Sequence, residues 1–176
     1  IAPCKNSGDY QERLLLLPRS YQINDHAQLY SNLLTELTSQ PRAGRTSSEM
    51  HAFQANHLKI ANFNQLMKVS PDIFAVWCGA MRRTTGVQLL LLTGVTSVHV
   101  AYPFAARNLR AEFALQGVRL WRLQHASVMR KPSHLVRAAG CHVGVDTLSY
   151  NSHTTGSDSL WAGLPILTLP GRSFSS

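Results

Sequence analysis

Carboxylates are scarce in this chain. Nine Asp and Glu stand against seventeen Lys and Arg in 176 residues, which leaves a formal charge of +8 and a pI near 9.9. Arginine supplies 13 of the 17 cations. The excess suits anionic partners (nucleic acid, a phosphorylated ligand or an acidic surface) without choosing among them. Charge of either sign is itself sparse, at 15% of residues against 44% hydrophobic, so intrinsic disorder is excluded and a core is within reach. Only three cysteines occur, Cys4, Cys78 and Cys141, widely spaced and with no CxxC pair. That rules against a disulfide framework or a zinc knuckle and points to a reducing compartment. Apolar runs such as Leu14 to Leu17 and Leu89 to Leu92 are far too short to cross a bilayer. No signal peptide opens the chain, but it starts at Ile1 rather than Met and stops in what reads as mid-element. It is therefore expected to be part of something longer, and the missing targeting segment says little.

What is present becomes regular after residue 56. The first fifty residues are irregular: the apolar run ends at Pro18, Asn24-Asp25 reads as a turn, and Ala27 to Leu37 fits a short helix with leucines at helical spacing. Residues 39–50 are rich in loop formers and make the best linker, so 1–50 is assigned to a preceding lobe with its linker and 51–176 to a separate lobe. In that lobe strands are expected at Leu58–Phe63, Val87–Thr93, Val118–Leu123, His142–Asp146 and Pro165–Leu169. Helices are expected at Pro71–Arg83, Pro103–Gln116, Pro132–Ala139 and Thr155–Ala162, three of them closed by Gly117, Gly140 and Gly163. Five strands alternating with four helices predict an α/β fold with a Rossmann-like parallel sheet and flanking helices.

In such sheets ligands bind beyond the carboxyl ends of the strands. Three loops there concentrate polar chemistry. In Asn62-Phe-Asn-Gln-Leu-Met-Lys68, Gln65 and Lys68 offer an amide and a point cation to a phosphate, or simply form a polar loop. In Lys131-Pro-Ser-His-Leu-Val-Arg137, three basic or titratable groups share one broad helix face. His134 can stack on a base there and Arg137 can bond its edge, or the face is merely solvated while Leu135 and Val136 are buried. The third is Asn151-Ser-His-Thr-Thr-Gly-Ser-Asp158, where Thr154, Thr155 and Gly156 open a helix as a phosphate cradle would. Alternatively, or at the same time, Thr155 and Asp158 form a capping box. His26, His51, His57, His99, His125 and His142 show no metal-ligand spacing; Trp77, Trp161, Cys78 and Cys141 read as core.

At these loops the sequence resembles the C-terminal catalytic lobe of the protein O-linked N-acetylglucosamine transferase family. The resemblance is carried by Asn62 to Lys68, His134-Leu-Val-Arg137, Val145-Asp-Thr147 and above all Asn151 to Pro165, with its long, specific block His153-Thr-Thr-Gly-Ser-Asp-Ser-Leu-Trp-Ala-Gly163. Upstream, Tyr10 to Pro18 and Asn24-Asp-His26 resemble the end of the family's preceding lobe. Departures are Thr93-Gly94 after the second strand and Tyr150-Asn151-Ser152 before His153.

The resemblance implies the C-terminal lobe of a GT-B glycosyltransferase that moves GlcNAc, with inversion and without a metal or other cofactor, from UDP-GlcNAc to Ser or Thr hydroxyls of proteins. It implies that Gln65 and Lys68 contact the diphosphate, with Lys68 stabilising the departing UDP. His134 would stack on uracil, Arg137 approach its edge, and Lys131 and Asp158 hold the ribose. Thr154 and Thr155 would bind phosphate, and His153 would border the diphosphate and sugar in a catalytic position. It places the protein in the cytoplasm, and also the nucleus of a eukaryote, with tetratricopeptide repeats and the other lobe outside this chain and the chain alone inactive. A protein O-fucosyltransferase using GDP-fucose is the related alternative, against which His153 and Asp158 argue. A non-catalytic nucleotide- or RNA-binding module is the alternative of another class. Its warrant is the charge alone, since no aromatic platform for RNA stands out and no membrane partner is expected.

Overall fold

Val87–Leu92 (β2) shows why the sheet is covered on both sides. Leu89 and Leu91 pack into one hydrophobic cluster while Leu90 and Leu92 pack against another. A strand with both faces buried needs this continuous aliphatic run. The computed structural model describes residue 11, residues 22–33, residue 35 and residues 58–93 and 102–171. The Leu14 to Leu17 run, the linker at 39–50, Gly94 and the boundary near residue 50 lie outside those residues.

Leu58–Asn62 (β1), β2, Leu123–Ala126 (β3), Val143–Val145 (β4) and Ile166–Leu167 (β5) form one parallel sheet in the order β3-β2-β1-β4-β5. The short helix His26–Leu29 (α1) precedes it, and Pro71–Arg83 (α2), Tyr102–Leu115 (α3), Lys131–Ala139 (α4) and Thr154–Trp161 (α5) alternate with its strands. One face carries Ile73, Phe74, Trp77 and Met81 of α2 with Phe113 of α3. The other carries Leu135 and Ala138 of α4 with Ala162 and Leu164, joined by Tyr30, Leu33 and Trp161. The chain therefore winds outward from β1 in one direction, then returns to the far side of β1 and winds outward in the other.

Local rules account for the helix ends. Ser70 caps α2 through the Ile73 N–H, with Pro71 at the first position; Gly117 and Gly163 end α3 and α5 at φ +73° and +77°. The strand expected at Val118–Leu123 starts five residues later. Leu120–Arg122 forms a 3₁₀ turn instead, because the buried Arg122 guanidinium donates to the carbonyls of Met81, Thr84 and Val87 at 2.8, 2.7 and 2.6 Å. Three carbonyls at the end of α2 and the start of β2 outweigh the strand propensity of that segment. The last strand is also shorter than Pro165–Leu169, and the N-terminal helix breaks at Tyr30 before helical residues at 31–33 and 35.

Candidate functional site

The strand order reverses between β1 and β4, so the loops leaving their carboxyl ends diverge to opposite faces and leave a crevice. Two asparagines bind its rims. Asn62 Nδ2 donates to Val145 O at 2.7 Å, and Asn64 Nδ2 reaches Asp146 Oδ1, Thr147 Oγ1 and Ser152 Oγ at 2.9–3.2 Å. The buried Asp146 carboxylate accepts from Thr147 N, Ser152 N and Ser152 Oγ as well as Asn64 through one oxygen, and from Thr168 Oγ1 through the other. A buried carboxylate is tolerable only with such compensation, and here it shapes the loop from 147 to 155.

Lys68 comes from the opposite rim, on a 3₁₀ turn at Leu66–Lys68 that follows the exposed Gln65. Its Nζ donates to Asn151 O at 3.3 Å and lies 3.8 Å from the centre of the Tyr150 ring. Tyr150 in turn stacks on His153, with centroids 5.0 Å apart and planes 24° apart. Burial lowers the Lys68 pKa, and the nearby Asp146 charge works against that shift.

His153 is the N-cap of α5 and offers no side-chain cap to its first turn. The capping box expected from Thr155 and Asp158 is not formed. The helix begins one residue earlier, at Thr154, and Asp158 turns inward, where a cation and an imidazole reward a carboxylate more than one backbone N–H would. Thr155 gives its hydroxyl hydrogen to Asn64 Oδ1 at 3.0 Å, so that donor is already committed within the protein. Thr154 Oγ1 accepts from Gln22 at 2.9 Å and keeps its own hydrogen to donate. Gly156 lets the helix start lie against the loop: a Cβ there would stand 3.1 Å from Ser152 Cβ.

Asp158 is held from both sides. His26 Nε2 lies 2.6 Å from Oδ1, and Lys131 Nζ lies 2.5 Å from Oδ2. The Asp158 and His26 side chains are only 3% and 5% exposed, while Lys131 is 36% exposed and keeps donors for a ligand. His26 also meets Tyr30 and Trp161 nearly edge-on. Nothing local in the sequence marks His26, which is separated from Asp158 by 132 positions. Asn64 and Asp146 lie in motifs that carry the resemblance and Tyr150 lies in a departure from it, but no spacing marks any of the three as a site residue.

On α4 the buried positions are His134, Leu135 and Ala138, and Val136, expected inside, is 47% exposed. His134 takes the interior place beside Phe63, ring centroids 4.8 Å apart at 83°. Arg137 spans Ser127 O at 2.7 Å and His134 Nδ1 at 2.8 Å, with its guanidinium 5.2 Å from the Phe63 ring centre. A guanidinium only donates, so His134 Nδ1 is the acceptor and the imidazole is neutral with its hydrogen on Nε2. Burial first, and the Arg137 charge second, push the His134 pKa down to about 4. The crevice thus gathers Gln65, Lys68, His153, Thr154 and Thr155 at the β1 and β4 ends, with Lys131 and Asp158 joined across α4 and α5. His134 and Arg137 form a neighbouring pair beside Phe63.

Comparison with known proteins gives the following. The profile of Glycosyl transferase family 41 matches residues 45–176. A probable UDP-N-acetylglucosamine–peptide N-acetylglucosaminyltransferase of Arabidopsis thaliana is 32% identical over 171 residues, covering 97% of this chain and 16% of that protein. A UDP-N-acetylglucosamine–peptide N-acetylglucosaminyltransferase of Caenorhabditis elegans is 29% identical over 132 residues, covering 74% of this chain and 11% of its own length. Among solved structures, an O-GlcNAc transferase variant of Thermobaculum terrenum superposes with a TM-score of 0.60 at 26% identity, over 68% of this chain and 22% of that one. Trehalose-6-phosphate synthase superposes at 0.50 with 12% identity over 78% and 34%, a likeness of GT-B fold alone. The chain thus spans under a fifth of the relatives it matches in sequence.

Proposed function

Because this chain belongs to glycosyl transferase family 41, we propose that it is the donor-nucleotide lobe of a protein O-GlcNAc transferase. Its donor is UDP-GlcNAc, and its acceptors are Ser and Thr hydroxyls of proteins. The observation that carries the reading is that Lys68 reaches across the β1/β4 crevice to Asn151 O, on the loop that leads into α5, whose N-cap residue His153 gives no side-chain cap. A cation and a helix N-terminus facing one gap suit a diphosphate.

In this reading Gln65, Lys68, Thr154 and Thr155 receive the diphosphate, and His153 borders it and the sugar. Lys131, braced by Asp158, holds the ribose. His134 and Arg137 form the uracil side. The acceptor hydroxyl attacks the anomeric carbon from the face opposite UDP and gives up its proton to solvent, and the electron pair of the breaking C–O bond leaves with the phosphate. The charge that accumulates there is met by Lys68 and the α5 N–H groups, which is the help a metal-free transfer requires. The two acidic residues of the crevice, Asp146 and Asp158, are both buried and spend their oxygens on protein donors, so neither repels the ligand. No helix among the described residues is long and apolar enough to cross a membrane. Cytoplasmic residence, with the nucleus added in a eukaryote, belongs to the same proposal.

Calorimetric titration with UDP tests it, with GDP as control. Saturable UDP binding that GDP does not match, weakened at least about tenfold by Lys68→Ala, is the expected result, since a charge-assisted hydrogen bond of roughly 1.5–3 kcal/mol is lost. A folded chain that binds both nucleotides equally, or binds UDP undiminished without Lys68, refutes it.

A further inference from the structure

Tyr150 is 44% exposed on the loop that Asp146 holds, and it meets two of the groups that face the crevice. The Lys68 ammonium sits 3.8 Å from its ring centre, and the His153 imidazole stacks on it at 5.0 Å. These three residues come from different places: Lys68 from the β1 side, Tyr150 from the middle of the β4 loop and His153 from the threshold of α5. Lys68 gives one N–H to Asn151 O, which leaves donors for a ligand.

The chemistry of the partner matters. A carboxylate at this position would hold the ammonium by cancelling its charge, and would then compete with the phosphate for it. An aromatic face holds the ammonium through its quadrupole and leaves the full positive charge in place. The stack does the same for His153, fixing the plane of the ring without occupying either nitrogen.

We infer that Tyr150 is a positioning residue of the donor site, its ring setting Lys68 and His153 toward the diphosphate without neutralising them. The inference rests on the UDP-binding reading above. Tyr150 acts on the phosphates through these two side chains and does not act on the base or ribose.

The test is titration of the chain with UDP and, separately, with uridine, for the parent, Tyr150→Phe and Tyr150→Leu. Proton NMR of the Lys68 ε-methylene, without ligand, accompanies it. Tyr150→Leu is expected to weaken UDP roughly three- to tenfold, as loss of a partly desolvated cation–π contact does, and to leave uridine within about twofold. Tyr150→Phe keeps the ring and is expected to bind both like the parent. The Lys68 ε-protons should lie upfield in the parent and in Tyr150→Phe, and move back in Tyr150→Leu. Equal losses for UDP and uridine, unaltered UDP affinity in Tyr150→Leu, or an ε-methylene shift indifferent to the ring each overturn the inference. A folded parent that binds no UDP overturns the function reading and this inference together. A parent that binds UDP as expected confines any failure to Tyr150.

Discussion

Replacing His26 by Phe removes one hydrogen bond from Asp158 while keeping a ring against Tyr30 and Trp161. Two effects compete in sizing the result. Breaking a buried charge pair outright costs about 3–5 kcal/mol, because the surviving charge is stranded. Here Asp158 keeps Lys131 at 2.5 Å, so the charge stays paired and only one oxygen loses its donor. A hydrogen bond to a charged group contributes about 1.5–3 kcal/mol, and that is the figure to use. With a urea m-value of about 2 kcal/mol/M, the midpoint of the 176-residue chain should fall by roughly 1 M at unchanged m. Lys131→Met removes the formal counter-charge and should cost more, about 3 kcal/mol or above. In a double-mutant cycle, His26→Phe should lose most of its effect once Asp158 is replaced by Asn. A midpoint lowered by less than about 0.2 M, or strict additivity in the cycle, would refute the claim that this segment is bonded to the lobe through Asp158.

Acid should act through His134. Its pKa is depressed to about 4 in the folded chain, so the unfolded chain takes up the proton first. Its stabilising contribution is whole above the unfolded value near pH 6.5 and is lost as pH falls toward about 4. Thermal unfolding at a series of pH values should show a steeper decline over that window in the parent than in His134→Gln. Gly156→Ala brings a methyl to 3.1 Å from Ser152 Cβ and must push the loop away from α5. UDP binding should weaken severalfold in that variant, while urea stability changes by no more than about 1–3 kcal/mol, the usual cost of overpacking; unaltered affinity would mean the loop does not present the phosphate site.

Much of the lobe was legible because its signals are local. The aliphatic run at Val87 to Leu92, Pro71 at a helix start and Gly117 and Gly163 at helix ends each report on neighbours a few residues away, and each element stands where those signals put it. The errors fall where a distant partner decides. Leu120 to Arg122 has strand character, but Arg122 is drawn to carbonyls 35 to 41 positions back. Thr155 and Asp158 have capping-box spacing, but His26 and Lys131 claim the carboxylate from 132 and 27 positions away. Leu135 and Val136 both look apolar enough to be inside, yet helical geometry gives the interior to 134, 135 and 138. For the candidate site, the motif stretches that contain Asn64, Asp146 and His26 could be quoted from the chain; the long-range bonds that make those three its scaffold could not. A lone histidine or asparagine has no periodicity to betray its partner.

Asp146 gathers five donor contacts from residues 64, 147, 152 and 168 onto one carboxylate. A ligand arriving at the crevice therefore meets a loop whose conformational entropy has been surrendered during folding. Ordering such a loop at the moment of binding would otherwise subtract about 1–2 kcal/mol per residue from the affinity. On the β1 side Asn64 joins the same network, while Gln65 and Met67 stand in solvent. The β4 jaw of the crevice is thus fixed before any ligand arrives, and it is set by a side chain that need never touch one.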